Sequence, residues 1–134
     1  MKLLYPFAKR YIAGHDFRSA QFTAKELSDN GFALSFNYVG EYSKTLDEAI
    51  AARNQYSEIL NYYQDKKIDL SIKLSQVGLL ISPEDCEGLL QQIVEKAHNH
   101  EHTIRFDMEH SIITDKTLDL CLKLNQKYPE TMGV

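Results

Sequence analysis

Two residues of opposite charge, Lys73 and Asp107, stand out for the chemistry they could do together. Each sits in a run where apolar and polar side chains alternate. Leu70, Ile72 and Leu74 oppose Asp69, Ser71, Lys73 and Ser75, while Ile104, Phe106 and Met108 oppose Arg105, Asp107 and Glu109. A period of two marks a strand with one apolar face, so the lysine and the aspartate both belong to polar stripes. An ammonium there suits a small carboxylate ligand, and charges on such a stripe need partners because an unpaired buried charge is very costly. An earlier run sets Phe32, Leu34, Phe36 and Tyr38 against Ala33, Ser35 and Asn37. Polar stripes of this kind suggest a binding pocket; the plainer alternative is one solvated face of an open sheet.

Other reactive side chains promise less. His98, His100 and His102 alternate ahead of the third run, with Glu109 and His110 beyond it. Such spacing can hold a transition metal, but these histidines precede a strand, on the side away from where sites form in parallel βα architectures. No metal site is expected. Cys86 and Cys121 fall in helical patterns and read as buried thiols rather than a disulfide.

The elements that must position Lys73 and Asp107 repeat. The runs begin near Phe32, Ile68 and Thr103, 36 and 35 residues apart, and a helical pattern follows each. Crossovers of that length make the strands parallel. Thr45-Leu46-Asp47-Glu48 has the form of a capping box at the start of the first crossover helix. Ser82-Pro83-Glu84-Asp85 opens the second with a hydroxyl cap, proline in the first turn and acids at the positive dipole end. Its inner stripe is Cys86, Leu89, Leu90, Ile93, Val94 and Ala97. Thr114-Asp115 reads as the start of the third, with Leu118, Cys121 and Leu122 inward and Pro129 ending it. An earlier helix runs from about Asp16, with Phe17, Ala20, Ala24 and Leu27 on one face and Asn30-Gly31 as its stop. Tyr56, Tyr62 and Tyr63 pack or face water.

The 134 residues carry 15 Lys+Arg against 19 Asp+Glu, a net charge of -4, with 43% hydrophobic residues. That suffices for one core and leaves no basic excess for a nucleic acid. Apolar stretches are far short of the ~20 residues of a membrane span, and Met1–Phe7 is too short for a signal peptide. The expectation is a cytoplasmic protein without linkers.

Four stretches resemble the bacterial proline dehydrogenases: Arg10-Tyr11-Ile12-Ala13-Gly14, Asn37-Tyr38-Val39-Gly40-Glu41, Ser71 to Leu79 (SIKLSQVGL) and Ile104 to Ser111 (IRFDMEHS). They occur in the family's order at similar spacing. The resemblance implies a TIM-type (β/α)8 barrel holding FAD that oxidises L-proline to 1-pyrroline-5-carboxylate in proline catabolism, with hydride passing to the flavin. It implies that Lys73 contacts the substrate carboxylate, Asp107 is an active-site residue beside the substrate, and Met108 touches the flavin. Asn37 departs from the pattern, since members of the family often carry aspartate there. Such a barrel usually needs ~250 residues. The expectation is therefore a single partial α/β domain over 1–134, with a helical segment (1–31) and then three βα units and the start of a fourth strand (32–134). On this reading the later strands, which supply most flavin contacts, are missing. An unclosed barrel exposes two strand edges, so self-association or a partner chain completing the barrel is expected. The alternative is a non-catalytic fragment or assembly module that keeps a small-carboxylate pocket without flavin.

Overall fold

The computed structural model describes residues 12–134, which fall into two compact units, one ending at Leu34 and one spanning Ser35–Val134. Met1–Phe7, and Arg10 and Tyr11 of the first family-like stretch, lie outside the described residues.

The first unit contains helix α1 (Phe17–Asp29). Asp16 caps it, its carboxylate accepting the Ser19 amide at 2.7 Å while the Ser19 hydroxyl accepts the Asp16 amide at 3.2 Å. Phe17 and Ala24 are buried as expected, whereas Leu27 is 43% exposed. At the other end Gly31, at φ +85°, lets its amide reach Ser28 O and lets Phe32 N–H reach Leu27 O. This is a Schellman stop. It corrects the strand start near Phe32: that amide closes the helix and cannot enter a ladder, and the Phe32 side chain is 61% exposed.

The second unit alternates strand and helix: β1 (Ser35–Asn37), α2 (Leu46–Tyr62), β2 (Asp69–Lys73), α3 (Pro83–Asn99), β3 (Thr103–Asp107), α4 (Ser111–Lys127) and β4 (Met132–Gly133). The four strands form one parallel sheet in the order β1-β2-β3-β4. Ser35 pairs with Asp69 and Asp69 with Thr103, so successive strands repeat at an offset of 34 residues. One sheet face carries Leu70, Ile72, Ile104 and Phe106, all at most 1% exposed, and it shares the core with Ala49, Tyr56 and Leu60 of α2 and Leu90, Ile93 and Val94 of α3. The other face carries Ser35, Asn37, Asp69, Ser71, Lys73, Arg105 and Asp107.

Helix starts show which local signals operate. Ser82 Oγ accepts the Asp85 amide at 3.2 Å ahead of Pro83, a cap contributing about 1 kcal/mol. Thr45 Oγ1 accepts the Glu48 amide at 3.3 Å, but Glu48 reaches past the cap to Lys44 N at 2.7 Å, so the reciprocal half of the expected box is displaced by one residue. Helix α4 begins at Ser111, not Thr114. Thr114 lies inside it, its hydroxyl facing His110 O at 3.5 Å. The buried stripe is Ile113, Thr117, Leu120, Cys121 and Leu124, while Leu118 and Leu122 are 38% and 63% exposed. Thr117 hid this phase, because its hydroxyl is satisfied internally by Ile113 O at 2.9 Å and so can be buried. Tyr56 and Tyr63 are buried and Tyr62 faces outward. Both cysteines are free and buried, and burial pushes the Cys86 thiol up to about 12.

Between β2 and α3 the chain turns through Gly78 at φ +91°, where an added Cβ would stand 3.2 Å from the Ala49 Cβ. Left-handed backbone and close packing on α2 together require glycine.

Candidate active site at the strand ends

Lys73 and Asp107 are the last residues of β2 and β3, and they are ladder partners. Side chains of partnered residues in parallel strands leave the same face, so register alone brings these two groups together. Lys73 Nζ lies 3.3 Å from Asp107 Oδ2, each side chain about 29% exposed. A pair this accessible contributes at most about 1 kcal/mol to stability, so fold stability gives little reason to place it there. An ammonium has three donors, and Asp107 engages one of them at long range. The rest can meet an incoming carboxylate.

Asp107 is held from three sides. The Ser71 hydroxyl donates to Oδ1, and Asn37 Nδ2 approaches Oδ2 at 3.4 Å while also donating to Ser71 O at 3.2 Å. Asparagine at position 37 thus acts as a neutral donor toward the carboxylate, a role aspartate could fill only when protonated.

A second ionic layer lies lower on the same face. Arg105 grips Asp69 through Nε at 3.1 Å and Nη2 at 2.7 Å, and Ser35 and Thr103 hydroxyls donate to the same carboxylate at 2.5 and 3.1 Å. Burial alone would raise the Asp69 pKa, but hydrogen bonds from Arg105, Ser35 and Thr103 outweigh it and hold the carboxyl below its ordinary value. A lowered folded-state pKa adds stability above the unfolded value of about 3.9 and loses it as pH falls through the folded value. Urea unfolding should therefore show the wild type losing stability below about pH 4 more steeply than Asp69→Asn. Parallel curves for the two proteins would deny this layer its stabilising role.

Above Lys73, a buried amide joins the loops. Tyr56 OH donates to Gln76 Oε1 at 2.9 Å and Gln76 Nε2 donates to Tyr38 O at 2.9 Å. An added Cβ on Gly40 would fall 2.6 Å from Gln76 Nε2, so glycine there leaves room for that amide.

Met108 corrects a simple extrapolation. Alternation placed it with the apolar side chains of β3, but the strand ends at Asp107 and Met108 is 47% exposed. His98, His100 and His102 precede β3, at the opposite ends of the strands, whereas His110 follows it. His102 Nδ1 accepts the Ile68 amide at 3.3 Å, and His98 Nδ1 lies 2.8 Å from Thr131 Oγ1. Among the described residues no group of three or more His, Cys, Asp or Glu is placed to hold a metal, and no helix is long and apolar enough to cross a membrane.

The alternation put Ser71 on the right face, but its partnership with Asp107 had no separate signal. Asp69 and Arg105 also shared that face, and only the register shows that they meet.

This segment, with its charged pair at adjacent strand ends, matches the family model for proline dehydrogenase over residues 20–133. The chain belongs to the proline dehydrogenase family. It is 28% identical over 128 residues to proline dehydrogenase 1 of Bacillus subtilis subsp. natto and 27% identical over the same length to that of strain 168. It is 24% identical over 129 residues to proline dehydrogenase 2 of strain 168. These alignments cover 94–95% of this chain and 42–43% of the relatives, so the chain spans less than half their length. In this proline dehydrogenase family member the parallel strands β1 to β4, the helices α2 to α4 between them and the Lys73–Asp107 pair all lie in the matched segment.

Proposed function

We propose that this chain takes part in oxidising L-proline to 1-pyrroline-5-carboxylate on a TIM-type barrel in the cytoplasm, with FAD as the electron acceptor. The observation that carries the reading is the Lys73–Asp107 pair, 3.3 Å apart at neighbouring strand ends within the family-matched segment. Lys73 holds the substrate carboxylate by charge-assisted hydrogen bonds. Asp107, fixed by Ser71 and Asn37, stands beside the ring and orients the ammonium. FAD, when bound, supplies the two-electron sink that takes the hydride as a C=N bond forms and the amine proton leaves.

An exposed apolar side chain next to Asp107 supports a place for the flavin ring at these strand ends. Met108 offers an exposed, polarizable thioether beside the site. The two cations on the polar face, Lys73 and Arg105, are paired with Asp107 and Asp69, so the dinucleotide phosphates call for donors elsewhere, in the later strands by family resemblance. Exposed Ile112 on α4 and Val134 beyond it are apolar side chains that support association with a second copy or a chain supplying further strands. Sedimentation at rising concentration reads this directly, and a monomer throughout counts against it.

Activity is tested on the purified protein with L-proline and an electron-accepting dye. Flavin absorbance with dye reduction supports the oxidoreductase reading. Colourless protein that still binds L-proline in calorimetry favours a carboxylate-binding module without flavin. Failure to bind L-proline at all sinks the assignment of Lys73.

A further inference from the structure

The sheet ends at Lys73 and Asp107, yet its pairing continues in side-chain form. Ser75 and Glu109 lie two residues beyond them, keeping the 34-residue offset. Glu109 grips Ser75 with both oxygens: Oε2 accepts the Ser75 amide at 3.0 Å and Oε1 accepts its hydroxyl. The carboxylate thus takes the place of the backbone acceptor that a longer β3 would have offered. Ser75 is fully buried, and its hydroxyl also accepts the Tyr42 amide at 3.1 Å. Ser75 O accepts the Ser43 amide at 3.2 Å, and the Ser43 hydroxyl donates to Gln76 O at 2.6 Å. One residue therefore ties together the loops that follow β1, β2 and β3. The ring of His110, next to Glu109, stacks on Tyr42 at 6.0 Å between centroids.

We propose that Glu109, acting through Ser75, is a positioning residue that holds Lys73 and Asp107 in pairing geometry for a carboxylate substrate. The proposal rests on the reading above that Lys73 binds the substrate carboxylate. Residues at the end of a ladder open locally at low cost unless the next residues are anchored. Lys73 and Asp107 are both terminal, and the Ser75–Glu109 grip is the anchor one step further on. It fixes the backbone after Met108, as the β2–β3 ladder fixes Asp107 before it. A carboxylate suits the position because both of its partners are donors. Glutamine keeps one acceptor for the Ser75 amide, but its NH2 group can only donate to the Ser75 hydroxyl, so the charge-assisted bond from that hydroxyl is lost and its O–H has to find another acceptor.

The test is calorimetric titration of L-proline into the wild type, Glu109→Gln, Ser75→Ala, Lys73→Ala and the Lys73→Ala/Glu109→Gln double variant. Glu109→Gln and Ser75→Ala should each weaken binding about tenfold, and Glu109→Gln should cost clearly less once Lys73 is gone. Wild-type affinity in Glu109→Gln, or an equal further loss in the double variant, overturns the proposal. Two measurements keep it separate from the functional reading and from misfolding. Where the wild type does not bind L-proline, the functional reading fails; the Lys73 side-chain NMR resonances then decide the positioning role. A shift toward the values of exposed lysines in Glu109→Gln supports it, and unchanged resonances overturn it. In the wild type alone, the Ser75 amide must exchange slowly with solvent, and fast exchange overturns the grip without any variant.

Discussion

Replacing Lys73 with alanine should weaken L-proline binding by roughly 10- to 100-fold while leaving the protein folded. Hydrogen bonds to a charged partner contribute about 1.5–3 kcal/mol, and each 1.4 kcal/mol is about a factor of ten. The loss is specific because the stabilising value of the ion pair is small at this exposure. Asp107 keeps its Ser71 and Asn37 donors, so the variant does not strand an unpartnered carboxylate. Lys73→Arg should not restore binding. The planar guanidinium is suited to gripping Asp107 with two parallel hydrogen bonds, and its remaining donors are then fixed in the plane of that fork and cannot turn to the carboxylate as the rotatable ammonium can. Calorimetry with L-proline on both variants, beside thermal unfolding, checks this. Unchanged affinity in Lys73→Ala moves the carboxylate site elsewhere.

The largest expected effect on stability comes from the opposite face of the sheet. Phe106 precedes Asp107, is 1% exposed and points into the core. Phe106→Ala should cost about 3–5 kcal/mol through lost burial and the cavity left behind. Domains of this size have a total stability of only about 5–15 kcal/mol, so the midpoint of thermal unfolding should fall by at least about 10 °C. Leu122→Ala is the control: that side chain is 63% exposed, and the change should stay within about 0.5 kcal/mol. A similar loss in both variants would mean that the apolar face of β3 is not where the core sits.

The difference between these two predictions follows from alternation, and alternation was legible in the sequence. The polar placement of Lys73 and Asp107, the burial of Leu70, Ile72, Ile104 and Phe106, and the parallel rhythm all follow from local patterns that survive folding unchanged. The Ser82-Pro83 start was equally plain, because a cap acts within one turn. What stayed hidden depends on competition between neighbours. The Phe32 amide had two uses, and the helix stop at Gly31 took it. Thr114 resembles a cap, but the chain is already helical by Ser111. A buried threonine at 117 interrupts the apolar count that would have phased α4.

Within the site, the sequence identified the lysine and the aspartate but not the company they keep. Ser71 gives no signal as a hydrogen-bond donor until the register sets it beside Asp107. Alternation sets Glu109 on the polar stripe and sequence proximity sets it beside histidine, but neither shows that its carboxylate turns to Ser75. Both cases turn on contacts across 34 or 36 residues, which no local window contains.

The ladders are unequal in length. Five residue pairs join β2 to β3, against three joining β1 to β2 and two joining β3 to β4. Transient opening of a protein begins where the fewest bonds must break, so excursions from the native state should peel the outer strands and leave the middle two zipped. Lys73 and Asp107 would then outlast Asn37. The charged pair of the site rides on the two strands that separate last, and its neutral amide on one that separates early.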